Sequence, residues 1–412
     1  MSRSRTITRR RFLGTAATAA AVAVVPRHVL GGEGRQPPSE TVTGALIGNG
    51  GRGKGSWKAM DLKEPRQLAV CDVDRKRIGG EPDYKTRFLD FRRVMERKDI
   101  DVVCIATPPH WHALICIAAA QAGKDIFCEK PMTRFIAEGR AVADAVKKYN
   151  VVFQIGTFKR FSNAKNKDHV ENHQIFKHGL MKDLSGTVVN AGAKNRFGRP
   201  DLKGQPVPPE LDYDMWLGPA PYKPYHTDRV HYKNRFYWDY EGGDLTNFGA
   251  HSTDPVFWTY AKDDTGPVEI EPHAPWPQHP DAVGPYGWVE LTFADGLRII
   301  VTGGKWDKAR KYDRPKKRSM VGAKDLDEEG RKKLAALPPP EPLIPFAEAI
   351  RTRQQAGGNA ESSHRVTTAL HLANIAIRVG RKIRWDPARE QIVGDEEANR
   401  FVNLPMRAPW HL

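Results

Sequence analysis

Residues 41–53 constrain the fold more than any other stretch. An apolar run over 42–47 breaks into Gly48-Asn49-Gly50-Gly51-Arg52-Gly53, and a helix is expected to follow over 56–62. This is a G-x-G-x-x-G loop between strand and helix, the setting in which that pattern binds a dinucleotide. Gly48 permits the tight turn, Gly50 clears the backbone for a pyrophosphate, and Gly53 lets helix and strand pack closely. N–H groups at the helix start then face the phosphate charge. Asp72 closes the next apolar run nineteen residues after Gly53. An acid there hydrogen-bonds a ribose 2′-hydroxyl, which favours NAD over NADP.

From 41 to about 156, short Val/Ile-rich runs alternate with helical stretches. Strands are expected over 42–47, 67–73, 102–106, 125–128 and 151–155. Helices are expected from 54 and over 111–122 and 134–149, with an amphipathic stretch near 88–97. Continuous apolar strands are those of a parallel sheet buried on both faces. The rest reads differently, with strands over 186–193, 288–293 and 297–302, helices over 245–260, 343–353 and 361–379, and Pro- and Trp-rich loops. The expected class is α/β: an N-terminal doubly wound Rossmann dinucleotide-binding domain over 41–157, then a C-terminal α+β substrate domain over 158–412 with a largely antiparallel open sheet.

The formal charge of +16 suggests nucleic acid until it is located. Residues 1–35 hold seven Arg against one Glu, and 305–333 hold twelve basic residues against six acidic. With no zinc spacing and no aromatic stacking motif, a solvated surface is the better reading, and neither a nucleic-acid partner nor a metal is expected. Thr8-Arg9-Arg10-Arg11-Phe12-Leu13 precedes a short Ala-rich apolar run. This reads as a twin-arginine signal over 1–32 with a linker over 33–40, and implies a translocase partner and a periplasmic or other extracytoplasmic destination. Cys71, Cys104, Cys116 and Cys128 lack C-x-x-C spacing and read as small buried hydrophobes.

Two constellations carry chemistry. Glu129-Lys130-Pro131 stands at the carboxyl end of the fourth strand expected, so Lys130 should point at the cofactor crevice. Farther on, Gly242-Gly243 leads into a helix on which Asn247 and His251 share a face. A histidine there can take a hydroxyl proton as hydride leaves the same carbon, or it can be an ordinary hydrogen-bonded histidine.

The loop Gly48–Gly53, Asp72, Thr107-Pro108-Pro109-His110-Trp111-His112, Glu129-Lys130-Pro131 and the Gly-Gly…His251-x-x-Asp254 helix together resemble the Gfo/Idh/MocA oxidoreductases. Trp216-Leu217-Gly218-Pro219, Arg235-Phe236-Tyr237-Trp238 and the closing Pro409-Trp410 resemble an exported bacterial branch of that family. The resemblance implies that Lys130 and His251 are catalytic. It also implies that Thr107, Pro108, His110, His112, Glu129 and Gln154 join Asn49, Gly51 and Arg52 around the cofactor. Arg160 is implied to border the cleft, with Arg235, Tyr237 and Trp238 against substrate, although core packing serves the two aromatics equally well. Members commonly carry Asp where this chain has Asn247, and Asn cannot ionise. Asp244 then either supplies the missing charge or, as favoured here, caps the helix.

The leading expectation is an NAD-dependent oxidoreductase moving hydride between a sugar or polyol carbon and a tightly bound cofactor, working as a dimer or tetramer. A redox-neutral glycosidase or lyase acting through a 3-keto sugar is the first alternative. A catalytically silent sugar-binding protein is the second.

Overall fold

The computed structural model describes residues 41–63, 65–181, 183–194, 196–303 and 321–412. The expected signal and linker, and the 305–320 part of the basic stretch, lie outside the described residues. Residues Thr43–Leu412 form one compact unit.

Strands β1 (Thr43–Ile47), β2 (Arg66–Cys71), β3 (Arg87–Phe88), β4 (Val102–Ile105), β5 (Asp125–Cys128) and β6 (Phe153–Ile155) form a parallel sheet of order β3-β2-β1-β4-β5-β6. Every residue of β4 and β5 is buried, so both read as apolar runs apart from Asp125, whose carboxylate accepts from the Val152 N–H and pairs with Arg353. Strand order reverses between β1 and β4. A crevice therefore opens beyond their carboxyl ends, where helices α1 (Gly51–Ala59) and α2 (His112–Gln121) lead off in opposite directions. Helix α3 (Ile136–Tyr149) begins where the Glu138 carboxylate accepts from the backbone N–H groups of Arg134 and Phe135 at 2.9 and 3.2 Å. The amphipathic stretch near 88–97 divides into β3 and a short helix, Phe91–Met95.

The second sheet holds β7 (Val188–Gly192), β8 (Glu269–His273), β9 (Trp288–Thr292), β10 (Arg298–Thr302), β11 (Ile383–Asp386) and β12 (Gln391–Ile392), in the order β12-β11-β8-β9-β10-β7. It is antiparallel except for the parallel pair β10–β7. Helix α4 (Lys167–Lys177) and strands β8 and β11 carry no clear apolar period; Pro272 and alternating Glu conceal β8. The helix expected over 245–260 is two helices, α5 (Gly243–Asn247) and α6 (Gly249–Thr259). The ladder tightens between them, where the His251 N–H donates to the Phe248 carbonyl three residues back. Phe346 of α7 (Phe346–Thr352) packs edge-on against Phe127 of β5, while α8 (Ala360–Val379) runs behind α6. Phe257, Leu291, Ile299, Leu370 and Ile377 share one core between α6, α8 and the sheet.

The two layers are bound to each other by charge and close packing. Arg140 of α3 pairs with Glu361 at 2.7 Å and Glu390 at 2.8 Å. A Cβ at Gly139 would stand 2.5 Å from the His364 ring, so α3 and α8 touch backbone to side chain there. All four cysteines are buried and free. Among the described residues, no helix is long and apolar enough to cross a membrane.

Candidate active site

The glycine loop is built by close contact. Gly48 sits at φ +91°, and a Cβ there would lie 2.6 Å from the Ala106 carbonyl, so only glycine makes this turn. At Gly53 a Cβ would lie 2.0 Å from the Gly48 oxygen, because α1 rests directly on the loop. At Gly51 the space is open. No side chain caps α1, which leaves its first amides free to meet an anion. Asp72 follows β2, and its carboxylate accepts from the Asn49 and Asp74 N–H groups at 2.9 and 3.1 Å. Burial pushes its pKa up, against those hydrogen bonds and the nearby Arg77.

At the end of β5, Glu129 turns back to the loop. Its Oε1 accepts from Ser56 Oγ at 2.7 Å and pairs with Arg52 at 2.7 Å. Lys130 turns the other way, toward α5, and donates from Nζ to Asn247 Oδ1 at 2.9 Å and to the Asn247 carbonyl at 3.1 Å. Arg235 Nη1 donates to the same Oδ1 at 2.9 Å, while Asn247 Nδ2 donates to Glu241 Oε1 at 2.8 Å. Burial lowers the Lys130 pKa, with Glu241 and Glu129 opposing. Burial, then the Lys130 charge, lower that of His251 to about 4, so its imidazole is neutral near pH 7.

Most of these groups line one cavity of about 550 Å³. Its walls include Gly48, Gly50, Gly51, Arg52, Gly53 and Asp72. Thr107, Pro108, Glu129, Lys130, Arg235, Asn247 and His251 share it.

Eight residues singled out in the sequence are not on its wall. Asn49 spends its side chain on the Arg77 carbonyl, at 2.5 Å. His110 is wholly buried against the Trp216 carbonyl at 2.9 Å. His112 is held between the carbonyls of Thr107 and Pro131 at 2.8 and 2.9 Å, so it braces the lining without joining it. Gln154 bonds the backbone of Ile155 and Gly358. Arg160 is locked by Asp254 at 2.6 Å and Asp263 at 2.9 Å, a buried tie from the segment after β6 to α6. Tyr237 and Trp238 are buried, their polar atoms given to the Arg199 and His279 carbonyls. Asp244 neither caps α5 nor supplies charge to the cavity, because the Arg196 guanidinium and N–H take its carboxylate at 2.9–3.0 Å.

The sequence reading gave no role to Arg77, His231, Tyr232 and Asn234, and quoted Trp111 only within a motif, yet all five line the cavity. It also passed over Glu241, whose only signal is an acid just before the Gly242-Gly243 pair. His231, Tyr232 and Asn234 lie on a six-residue 3-10 turn, His231–Phe236, with no periodicity to betray it.

The cavity fits a dinucleotide. Its volume lies within the roughly 300–1,000 Å³ of small-molecule and cofactor sites. Thr107 Oγ1 is buried without a hydrogen-bond partner beside it, a hydroxyl left for a ligand. Asp72 offers carboxylate oxygens with spare lone pairs to a ribose diol. Among the described residues, no cluster of three or more His, Cys, Asp or Glu could hold a metal ion.

Comparison with known proteins agrees with this geometry. A family model described as "Oxidoreductase family, NAD-binding Rossmann fold" matches residues 43–157, and one described as "Oxidoreductase family, C-terminal alpha/beta domain" matches 167–412. Levoglucosan dehydrogenase of Pseudarthrobacter phenanthrenivorans is 53% identical over 162 residues, which are 35% of this chain and 40% of that protein. A glycosyl hydrolase family 109 protein of Stenotrophomonas maltophilia is 34% identical over 136 residues, 29% of each chain. The chain thus spans less than half the length of either relative. Among solved structures, the WlbA dehydrogenase of Bordetella pertussis, in complex with NADH and UDP-GlcNAcA, superposes with a TM-score of 0.54 at 14% identity, covering 84% of this chain and 99% of that one. At that identity the likeness is one of fold.

Proposed function

The chain belongs to the Gfo/Idh/MocA oxidoreductase family, and from that premise we propose that it moves hydride between a carbinol carbon of a sugar or polyol and a tightly held NAD. The observation that carries this reading is the single cavity in which the glycine loop and Asp72 share walls with Lys130 and His251. Gly48–Gly53, Asp72, Thr107 and Pro108 would hold the cofactor, which supplies the hydride acceptor when bound. Lys130 donates a hydrogen bond to the substrate oxygen and stabilises negative charge that develops there. His251, neutral at working pH, takes the hydroxyl proton as the carbonyl forms. Arg235 and Tyr232 offer a cation and an aromatic face to the sugar.

The arginine pair Arg9-Arg10 with Phe12-Leu13 supports export of the folded chain. A cofactor acquired before export has to be recycled without leaving. A second reading follows, a redox-neutral glycosidase or lyase that returns hydride to the same sugar after elimination. Asn247, which cannot ionise, favours it, and so does the partial match to a glycosyl hydrolase family 109 protein.

The test starts from protein expressed in cytoplasm, denatured, with the supernatant assayed for dinucleotide. The intact protein is then given a panel of sugars and glycosides while nicotinamide absorbance is followed. Net reduction of cofactor is the expected outcome, and glycoside cleavage without net change selects the second reading. Lys130→Ala abolishes either activity. Absence of both dinucleotide and turnover across the panel would overturn the proposal.

A further inference from the structure

We infer that Glu241 is a positioning residue for Lys130: through the amide of Asn247 it aims the lysine ammonium into the cavity and keeps it charged. The inference rests on the reading of Lys130 given above. It answers the question raised by Asn247, because the carboxylate missing at that position stands one hydrogen bond farther back.

The geometry admits one orientation of the amide. Lys130 and Arg235 can only donate, so Asn247 must turn Oδ1 to them. That leaves Nδ2 for Glu241, which is 4% exposed and keeps an accepting oxygen in either protonation state. Flipping the amide would set NH₂ against two cations and oxygen against an anion. Glu241 thereby anchors the amide that holds Nζ, without touching Nζ itself.

The charges around the pair agree. Of the two acids that face Lys130, Glu129 is occupied by Arg52 and Ser56. Arg235 on the 3-10 turn and Arg52 on the glycine loop oppose the ammonium, while His251 on α6 is neutral. Asp244 on α5 faces Glu241 but is neutralised by Arg196. Behind Glu241 a cavity of about 30 Å³ is shared with Arg134, His371 and Arg378, the last two on α8. Burial raises the Glu241 pKa to about 7, with Arg235 and Lys130 holding it down, so its grip on the ammonium strengthens as pH rises through neutrality.

The test reads Lys130 itself, with no need for cofactor or sugar. The full-length chain is acetylated briefly with acetic anhydride across a pH series, and the Lys130 peptide is quantified by mass spectrometry. Glu241→Gln keeps an acceptor for Asn247 but removes the charge, and is expected to lower the midpoint of reactivity by about one pH unit or more. The double variant Glu241→Gln/Asn247→Asp returns a carboxylate to the network and should restore the midpoint. Asn247→Leu cuts the link with Glu241 intact and should lower it too, which keeps the test open if Glu241→Gln folds poorly. An unchanged midpoint in the folded single variants, or a double variant no different from Glu241→Gln, would overturn the inference. Because the labelling is independent of turnover, an inactive protein with a shifted midpoint counts against the proposed function and leaves this inference standing.

Discussion

Gly53 and Gly55 lie two residues apart on α1, and the structure demands opposite results from the same substitution. At Gly53 a new Cβ meets the Gly48 carbonyl at 2.0 Å, where ordinary contact begins at 3.4 Å. The obstacle is backbone, so α1 and the loop must separate by about 1.4 Å. Overpacking of this kind costs about 1–3 kcal/mol, and a carbonyl that cannot rotate away puts Gly53→Ala at the upper end. The displaced amides are those that face the cavity, so bound dinucleotide should be lost as well. At Gly55 a Cβ meets nothing within 4 Å, and alanine favours the helix by roughly 0.5–1 kcal/mol. Gly55→Ala should therefore keep its dinucleotide and melt slightly higher. Urea unfolding, paired with the dinucleotide released per chain, reads both quantities. Wild-type stability and dinucleotide content in Gly53→Ala, or equal loss in both variants, would refute the packing argument.

Two further outcomes follow from the buried charges. Arg160→Met strands Asp254, which is 1% exposed, and should cost about 3–5 kcal/mol in urea unfolding; a loss below about 1 kcal/mol would mean the pair is not what holds this segment to α6. His110 and His371 are buried neutral, with pKa values lowered by burial to about 3 and about 4. Below the ordinary value near 6.5 the unfolded chain binds protons that the native chain refuses, so stability falls as pH drops from about 6.5 toward 4, by roughly 3 kcal/mol per histidine. Urea midpoints taken across that range should fall steadily, and His371→Gln should flatten the fall.

What the sequence revealed depended on how local the cause was. The glycine loop, Asp72 and the Lys130 strand end are set by neighbours in the chain, and all line the cavity. Asn247 and His251 stayed on one wall despite the break at Phe248, because one tightened turn barely rotates the face. His110 and His112 show the limit. Their motif lies beside the cavity, but the carbonyls of Trp216 and Pro131, which decide where the rings point, come from distant segments. Arg160 was legible as a cleft residue and Gln154 as a cofactor neighbour, but the partners that hold them, Asp254 and Gly358, come from distant segments. Glu241 was hidden although its partner Asn247 is only six residues on, because a glycine pair and a turn separate them and no helical period links the two.

The central claim is that a dinucleotide lies between the glycine loop and the pair formed by Lys130 and His251. A crystal structure of the protein soaked with NADH and a sugar tests it most directly. The account predicts the pyrophosphate over the first turn of α1, the adenosine ribose on Asp72, and Lys130 Nζ and His251 within roughly 2.6–3.2 Å of one sugar hydroxyl beside the nicotinamide. A cofactor bound elsewhere, or a sugar reached by neither side chain, would contradict it.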